Sequence, residues 1–294
     1  MDIEAKAIER LKCASDMSLR LFKKPLVITY SGGKDSDVLL HLAQASGIPF
    51  EVLHSLTTAD APETVRHVYD TFRRLEEKGI PCTVDKHVQP DGSRMTMWNL
   101  IPRKLMPPTR LVRYCCAELK EGGGKGRFIA TGVRWAESTA WKKNRGTLEV
   151  LAATGRKNNF VLLNDNDENR RLFETCQLKG ERVVNPIIDW KEEDVLDYAA
   201  AEKIPMNPLY CEGFRRVGCI GCPMASSSRY MEFARYPKIK MAYIRAFGRM
   251  LERRIALGKD AYSWHSGVDV FHWWMEDGVL PGQEVLDRFE EDAI

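Results

Sequence analysis

The chain of 294 residues is 44% hydrophobic and 29% charged, which indicates about two globular domains and excludes disordered and fibrous classes. No apolar run approaches the roughly 18 residues of a membrane helix, and the N-terminus lacks the apolar stretch of a signal peptide. We therefore expect a cytoplasmic protein with no membrane partner. In a reducing compartment its eight cysteines are better explained as metal ligands, reactive thiols or core residues than as disulfides.

Helical and strand patterns alternate along the chain. An amphipathic helix over residues 3–22 precedes a β-branched strand at Leu26–Tyr30. Further strands are expected at 50–54, 127–133 and 182–185, and further helices at 37–45, 62–78, 194–201 and 237–257. This alternation predicts an α/β fold whose parallel sheet has helices on both faces.

Two features suggest how the chain is divided. Residues 141–181 are polar and rich in Asn and Arg, so we expect a surface excursion or lid there. After Ile204 the composition changes to Pro, Cys, Gly and aromatic residues. We therefore expect a first domain at 1–205 and a C-terminal helical region at 206–294.

A glycine-rich turn lies between the first strand and the next helix, with the sequence Ser31-Gly32-Gly33-Lys34-Asp35-Ser36. Its glycines allow close approach of the backbone to a ligand, and the helix that follows presents free N–H groups and a positive dipole end. Lys34 and the two hydroxyls add donors, whereas Asp35 suggests that a metal ion shares the site. The spacing is not that of a Walker motif. A plain strand-to-helix turn is the alternative interpretation.

The hexapeptide resembles the pyrophosphate loop of the PP-loop superfamily, whose members cleave ATP between the α and β phosphates or bind adenosine phosphosulfates. Other segments are similar, in the same order, to elements of the phosphoadenosine phosphosulfate (PAPS) reductase family. These segments are Thr57–Thr64, Gly132–Ser138, Asn185–Trp190 and Asn207–Tyr210. The resemblance implies a PP-loop fold that binds ATP with Mg²⁺.

The same resemblance implies roles for individual residues. Ser31, Gly32, Gly33, Lys34, Asp35 and Ser36 would hold the phosphates of the nucleotide. Lys34 would offset charge that develops on pyrophosphate, and Asp35 would help to hold Mg²⁺. Arg134 would contact a phosphate of the nucleotide or of the acceptor.

Two close cysteine pairs, Cys115-Cys116 and Cys219-x2-Cys222, can supply four thiolates to one metal centre. Spacing alone does not separate zinc from a [4Fe–4S] cluster, and four unrelated core cysteines are the alternative. The arrangement is similar to that of cluster-containing adenosine phosphosulfate (APS) reductases, which implies a [4Fe–4S] cluster in a C-terminal cluster-binding region. Cys13, Cys82 and Cys176 are expected to be buried, while Cys211 is a candidate reactive thiol.

One departure from the family bears on the reaction. Sulfonucleotide reductases carry a nucleophilic cysteine near the C-terminus, whereas the 72 residues after Cys222 contain none. The chain looks closer to the iron–sulfur ATP pyrophosphatase branch, the sulfur-transfer enzymes of DNA phosphorothioation. That likeness implies an enzyme that adenylylates an acceptor for sulfur transfer, with a sulfur donor such as a cysteine desulfurase. The alternatives are an APS or PAPS reductase and a non-catalytic nucleotide-bound iron–sulfur module.

Positive charge is concentrated late in the chain. Residues 229–254 hold eight basic and two acidic residues, a local net charge of +6 in a chain of net charge +3. Lys238, Arg245, Arg249 and Arg253 fall on one helical face, and the aromatic residues Tyr230, Tyr236, Tyr243 and Phe247 are interleaved with the basic residues of the segment. This pattern suits a nucleic-acid acceptor, and a solvated helix face is the alternative.

Overall fold

The computed structural model describes residues 2–89, 91–120, 124, 126–137, 145–152, 160–162 and 180–276. The strands are β1 Leu26–Thr29, β2 Phe50–Ser55, β3 Cys82–Asp85, β4 Phe128–Ala130, β5 Leu148–Ala152, β6 Phe160–Leu162 and β7 Gly180–Val184. The helices are α1 Ile3–Phe22, α2 Lys34–Ala45, α3 Pro62–Glu76, α4 Met97–Lys104, α5 Tyr114–Leu119, α6 Glu192–Ala201, α7 Ser228–Arg235, α8 Pro237–Ala256 and α9 Gly267–Met275.

The strands form one seven-stranded sheet in the order β3-β2-β1-β4-β7-β5-β6. The first four strands and β7 run parallel, and β5 pairs antiparallel with both β7 and β6. The predicted α/β class with a mostly parallel sheet is therefore confirmed. The carboxyl end of β1 leads directly into the glycine-rich turn, which is the usual position of a ligand site in such sheets.

The described part of the polar segment 141–181 differs from the expected lid. Residues 148–152 and 160–162 are strands of the sheet, and β5 aligns Leu148 with Val184 of β7. Two short, mostly apolar runs, Leu148–Ala152 and Phe160–Leu162, thus join the sheet although the segment around them is polar. The Asn-rich and Asp-rich run 164–169 lies outside the described residues.

The chain separates into two compact units. Unit 1 comprises residues 1–56, 60–86 and 122–218, and unit 2 comprises 57–59, 87–121 and 219–294. This division does not follow the expected boundary after residue 205, because 206–218 belong with unit 1 and 87–121 with unit 2. The domain division at 205 remains a prediction.

Unit 1 contains the sheet and a continuous apolar core. Buried side chains of α1, α2, α3 and α6 pack with those of β1, β2 and β4. Helix α1 is also tied to the turn before α6, where Arg10 Nη1 donates to Asp189 Oδ1 at 2.7 Å and Lys6 Nζ donates to Asp189 Oδ2 at 2.8 Å. Burial opposes ionisation of Asp189, but these bonds outweigh it and lower its pKa to about 2.

Unit 2 is helical and has an aromatic core. The rings of Phe233, Tyr243, Phe247, Phe271 and Trp274 pack on one another. Helix α9 crosses α8 closely, because a Cβ on Gly267 would lie 2.3 Å from the Ile244 carbonyl oxygen. None of the helices in the described ranges combines the length and the apolar character that crossing a bilayer requires.

Candidate functional site

The glycine-rich turn between β1 and α2 has the backbone shape of an anion cradle. Gly32 has a φ of +75°, and a Cβ there would lie 3.0 Å from Cγ2 of Val68, so glycine is required. The Ser36 hydroxyl accepts the Gly33 N–H at 3.1 Å and donates to the Gly33 carbonyl at 2.8 Å. Ser31 donates to Ser36 at 3.1 Å, which closes the turn on itself at the positive end of α2.

Four charged side chains meet beside this turn. Arg134 Nε donates to Asp35 Oδ1 at 2.6 Å, and Lys34 Nζ lies 3.7 Å from Asp35 Oδ2. Glu192 bridges the same two cations, with oxygens 3.4 Å from Lys34 Nζ and 3.4 Å from Arg134 Nη2. The structure thus brings together all three predicted catalytic residues, Lys34, Asp35 and Arg134, and adds Glu192.

Arg134 has an unused donor in this cluster. Its side chain is 1% exposed, and its Nη1 atom has no hydrogen-bond partner among the described residues. Burial of a guanidinium nitrogen without a hydrogen-bond acceptor reduces the stability of the fold. An anionic ligand at this position would supply the missing acceptor. Gly132 makes the arrangement possible, because a Cβ there would lie 3.1 Å from the backbone carbonyl of Asp35.

Asp35 has a different environment from the one expected of a metal ligand. Its carboxylate is already paired with Arg134 and lies near Lys34, so it is held by cations in this structure. The nearby Glu137 accepts the Arg134 backbone N–H at 3.0 Å. Burial, and then the charge of Asp35, raises the pKa of Glu137 above its usual range. The magnesium role of Asp35 remains a prediction.

Tyr210 is a site residue that the sequence analysis did not single out. The Lys34 backbone N–H donates to the Tyr210 hydroxyl at 2.9 Å, and Lys34 Nζ lies 5.6 Å from the centre of the ring. Burial raises the pKa of Tyr210 to about 12. Asn207 donates to the Gly32 carbonyl at 2.8 Å. Tyr210 lies in the segment Asn207–Tyr210, which resembles a family element, but the resemblance assigned no role to this tyrosine.

The four predicted cysteine ligands lie in unit 2. The hydrogen bond between Cys115 and Cys116 raises the pKa of Cys115, and burial and the neighbouring Cys116, Cys219 and Cys222 raise it further. Two distant sequence pairs therefore converge. As the side chains stand, no three His, Cys, Asp or Glu residues of the described ranges are arranged to hold a metal ion. The assignment of these cysteines as ligands remains a prediction.

The other cysteines are separate from this group. Cys13 and Cys82 are partly buried, and burial raises the pKa of Cys82 to about 12. Cys211 is exposed and directly follows Tyr210, so it is accessible as a thiol. Cys176 lies outside the described residues.

The structure confirms the predicted basic face of helix α8, but the prediction that aromatic residues share this face is wrong. Lys238, Arg245, Arg249 and Arg253 are all exposed on this 20-residue helix. The expected interleaved aromatic residues are not on that face, because Tyr236, Tyr243 and Phe247 are buried and the last two pack in the aromatic core. Tyr230 is exposed, but it lies on α7.

Two basic residues of the same segment are also internal. Arg229 donates to the carbonyls of Trp274 and Met275 at 2.9 and 3.2 Å. Arg254 donates to the carbonyls of Leu105 and Asp260, both at 2.6 Å. The local charge of the sequence therefore overstates the charge that reaches the surface of this unit.

Solved structures share similarity over most of the chain. The PAPS reductase from Candida auris in its phosphate complex matches with a TM-score of 0.45 and 15% identity, covering 73% of this chain and 88% of that one. The U34-tRNA thiolase NcsA from Methanococcus maripaludis with its [4Fe–4S] cluster matches with a TM-score of 0.42 and 14% identity, covering 85% and 80%. Likeness at this level carries no inference about function.

Sequence comparison is more specific. Sulfate adenylyltransferase subunit 2 from Rhodopseudomonas palustris strain BisB18 is 30% identical over 203 residues, which are 67% of this chain and 58% of that protein. The corresponding protein from Streptomyces lavendulae is 32% identical over 215 residues, covering 67% and 60%. The chain thus spans less than two thirds of the length of these relatives. Residues 25–225 match the model of the phosphoadenosine phosphosulfate reductase domain, and the chain belongs to that family.

Proposed function

We propose that the chain is an ATP pyrophosphatase that adenylylates an oxygen of a nucleic-acid acceptor, so that sulfur can replace that oxygen. The acceptor oxygen attacks the α-phosphorus of ATP, the bond to the β-phosphate oxygen breaks, and pyrophosphate leaves. A sulfur nucleophile then forms the carbon–sulfur or phosphorus–sulfur bond and expels AMP with the original oxygen. The sulfur comes from a donor protein such as a cysteine desulfurase.

The unpartnered Nη1 of Arg134 carries the nucleotide part of this proposal. It is buried beside Lys34 at the N-terminal end of α2, where a phosphate oxygen would find a guanidinium, an ammonium and helix N–H groups. Gly32 and Gly33 leave the backbone of the turn open to close approach. Ser31–Ser36 would surround the phosphates, and Lys34 would offset charge on the departing pyrophosphate.

The charge balance of the site supports Mg²⁺ as the partner of ATP. Lys34 and Arg134 are matched by Asp35 and Glu192, so these four side chains carry no net charge to receive a polyphosphate. A divalent cation that travels with the phosphates compensates their charge, and Asp35 is the carboxylate of the turn that would contribute to its binding.

The cysteine set fits a [4Fe–4S] cluster in its donor chemistry. Four thiols approach one another in unit 2, and a cluster of this type takes four cysteine thiolates. Bound there, the cluster would supply a structural, electrostatic or sulfur-handling function. Carrying an additional sulfur would require one ligand to leave, because four thiolates saturate the irons. The proposed location is the cytoplasm, whose reducing conditions keep such thiols free.

The nucleic-acid acceptor is proposed from the exposed basic face of α8. Lys238 and Arg253 are 15 residues apart, which corresponds to about 22 Å along the helix. Cations spread over this distance can contact several phosphates of one backbone. Since the aromatic residues of α8 point into the core, we propose contact with phosphates rather than base stacking on this helix.

The test is product analysis with anaerobically purified protein. Labelled ATP, APS and PAPS are supplied separately, with and without duplex DNA, single-stranded DNA or tRNA. We expect pyrophosphate and the adenylylated acceptor from ATP when the acceptor is present, AMP once a sulfur source is added as well, and no sulfite from APS or PAPS. Production of ADP and phosphate would contradict the reaction class.

Sulfonucleotide reduction is the second candidate, and the exposed Cys211 favours it. This thiol follows Tyr210, which touches the turn, so it is a candidate nucleophile for the sulfate group. Efficient release of sulfite from APS or PAPS, abolished by Cys211→Ser, would support the reductase and overturn the pyrophosphatase. The control is Cys13→Ser, which changes a thiol on α1.

A further inference from the structure

We infer that Glu232 fixes the Cys219–Cys222 turn and lowers the reduction potential of a cluster held by this turn, an inference that rests on the proposed cofactor. Glu232 lies on α7 and is 7% exposed. Its Oε2 accepts the backbone N–H of Gly221 at 2.6 Å, inside the turn. This is the short distance of a charge-assisted hydrogen bond.

The turn is held at every one of its inner peptide N–H groups. The Ile220 N–H donates to the Ala59 carbonyl at 2.8 Å, and the Cys222 N–H donates to the Cys219 carbonyl at 3.2 Å. Gly221 donates to Glu232, as described above. These three N–H groups therefore have oxygen acceptors already, and none of them is available in this arrangement to donate to sulfur.

The turn is tightly packed on its buried side. Gly221 has a φ of +72°, and a Cβ there would lie 2.3 Å from Cζ of Phe233. The Tyr243 hydroxyl donates to the Ile220 carbonyl at 3.0 Å from the buried side. Tyr243 of α8 and Glu232 of α7 thus hold the carbonyl and the N–H of one peptide group, the one that joins Ile220 to Gly221.

Two physical effects of this arrangement act in the same direction. Hydrogen bonds to cluster sulfurs and a lower net negative charge both favour the reduced form of a cluster. Glu232 withholds the Gly221 N–H from sulfur, and its carboxylate repels the electron that reduction adds. Both effects lower the reduction potential, so the cluster would be harder to reduce than one without this carboxylate.

The experiment compares wild type with Glu232→Gln, and the matched control is Glu252→Gln, which removes one exposed carboxylate from α8 in the same unit. Iron and acid-labile sulfide are counted in anaerobic preparations, and the midpoint potential is measured by spectroscopic redox titration. Glutamine keeps an oxygen acceptor for Gly221 but removes the charge. We expect Glu232→Gln to bind as much iron as wild type and to have a more positive potential, and Glu252→Gln to match wild type.

An unchanged potential in Glu232→Gln would overturn the inference. Should that variant fail to fold, judged by circular dichroism, Glu232→Asp provides a second measurement, because it keeps the charge but shortens the reach to Gly221. We expect this variant to lose iron to a chelator several-fold faster than wild type, and an equal rate would contradict the positioning role. A wild-type protein without iron or sulfide would refute the proposed cofactor itself, whereas a loaded protein that makes no AMP would refute only the proposed reaction.

Discussion

At the proposed nucleotide site, burial increases the effect of each charge, because less water screens it. Lys34 and Arg134 are 9% and 1% exposed at their side chains, whereas Glu192 is 57% exposed. Glu192 therefore loses little when a ligand displaces it, while the two buried cations gain a partner. We therefore expect phosphate oxygens of a bound ligand to replace the Glu192 carboxylate as the partners of Lys34 and Arg134.

Lys34→Ala is expected to slow production of AMP and pyrophosphate by about 10²–10³-fold, the usual effect of removing one group that stabilises transition-state charge. ATP binding should weaken less, because Arg134 and the turn remain. The measurement is chromatography of labelled ATP products under saturating and limiting ATP. Lys12→Ala removes an exposed lysine of α1 and should behave as wild type. A normal rate in Lys34→Ala would exclude this lysine from the reaction.

At the scale of elements, the segment Asn185–Trp190 has a structural explanation in this chain. Asn185 donates to the Gly146 carbonyl and to Glu149, both at 2.7 Å, and so joins the end of β7 to the start of β5. Asp189 joins α1 to the turn before α6. The segment resembles a family motif, and these contacts show that it stabilises the connections around the sheet.

Asp189→Asn is expected to destabilise unit 1 by about 2 kcal/mol at pH 7, since one pKa unit corresponds to about 1.4 kcal/mol and the folded pKa of about 2 lies below the usual value. Because the folded pKa is lowered, this stabilisation is complete above the unfolded pKa of about 4 and is lost as the pH falls towards 2. Urea denaturation of both proteins between pH 7 and pH 3 measures it.

The control for this measurement is Asp197→Asn, which neutralises an exposed carboxylate of α6. It should change the stability by much less than Asp189→Asn at every pH. A constant difference between wild type and Asp189→Asn over the whole pH range would show that the effect is not electrostatic.

Local sequence patterns predicted those elements whose conformation depends mainly on their own residues rather than on distant partners. The β-branched run of β1, the glycine-rich turn and the amphipathic helices α1 and α3 are examples. Strand β3 was missed because Cys82–Asp85 is short and only partly buried. Strand β5 depends on pairing with β7 and strand β6 on pairing with β5, and their sequence does not reveal these partners.

The candidate site was likewise predictable only where a local sequence motif marks it. The turn and the two cysteine pairs are visible as motifs. Glu192, Tyr210 and Glu232 were missed, because their roles arise from contacts with the Lys34 side chain, the Lys34 backbone and the Gly221 backbone. Only folding brings Glu192 and Tyr210 to a lysine more than 150 residues earlier in the chain.

At the scale of the whole molecule, charge and aromatic residues are distributed unevenly between the two units. Unit 1 contains the balanced charges of the proposed nucleotide site. Unit 2 contains the four cysteines proposed as ligands and the exposed basic face of α8, which lies over an aromatic core. We therefore expect the partner of α8 to be a polyanion that is bound through its backbone, and the dependence of binding on ionic strength tests this expectation.

The double variant Arg245→Ala with Arg253→Ala should bind nucleic acid more weakly than wild type. The slope of log affinity against log salt concentration should become shallower by about 1.5, because each lost phosphate contact reduces this slope by about 0.7–0.9. Arg249 is left in place because it also donates to the Trp98 carbonyl at 2.8 Å. Fluorescence titrations with duplex DNA, single-stranded DNA and tRNA at several salt concentrations provide the slopes.

The matched control is Lys12→Ala combined with Arg20→Ala, which removes the same charge from exposed positions of α1. Its slope should equal that of wild type, and ATP binding should be unchanged in both double variants. An identical slope in the α8 variant, or no binding by wild type at low salt, would make this face an ordinary solvated surface.

The contact between the cysteine turn and the aromatic core has an optical consequence. The Cβ position of Gly221 lies 3.0 Å from Cη2 of Trp274, so this indole ring is adjacent to the turn. An iron–sulfur cluster absorbs throughout the range in which tryptophan emits, and energy transfer at such short range is efficient. Assembly of the cluster would therefore quench the fluorescence of Trp274, and loss of the cluster would restore it. If the proposed cluster binds, Trp274, one of the seven tryptophans of the chain, would report whether the cysteines are loaded, in solution and under anaerobic conditions.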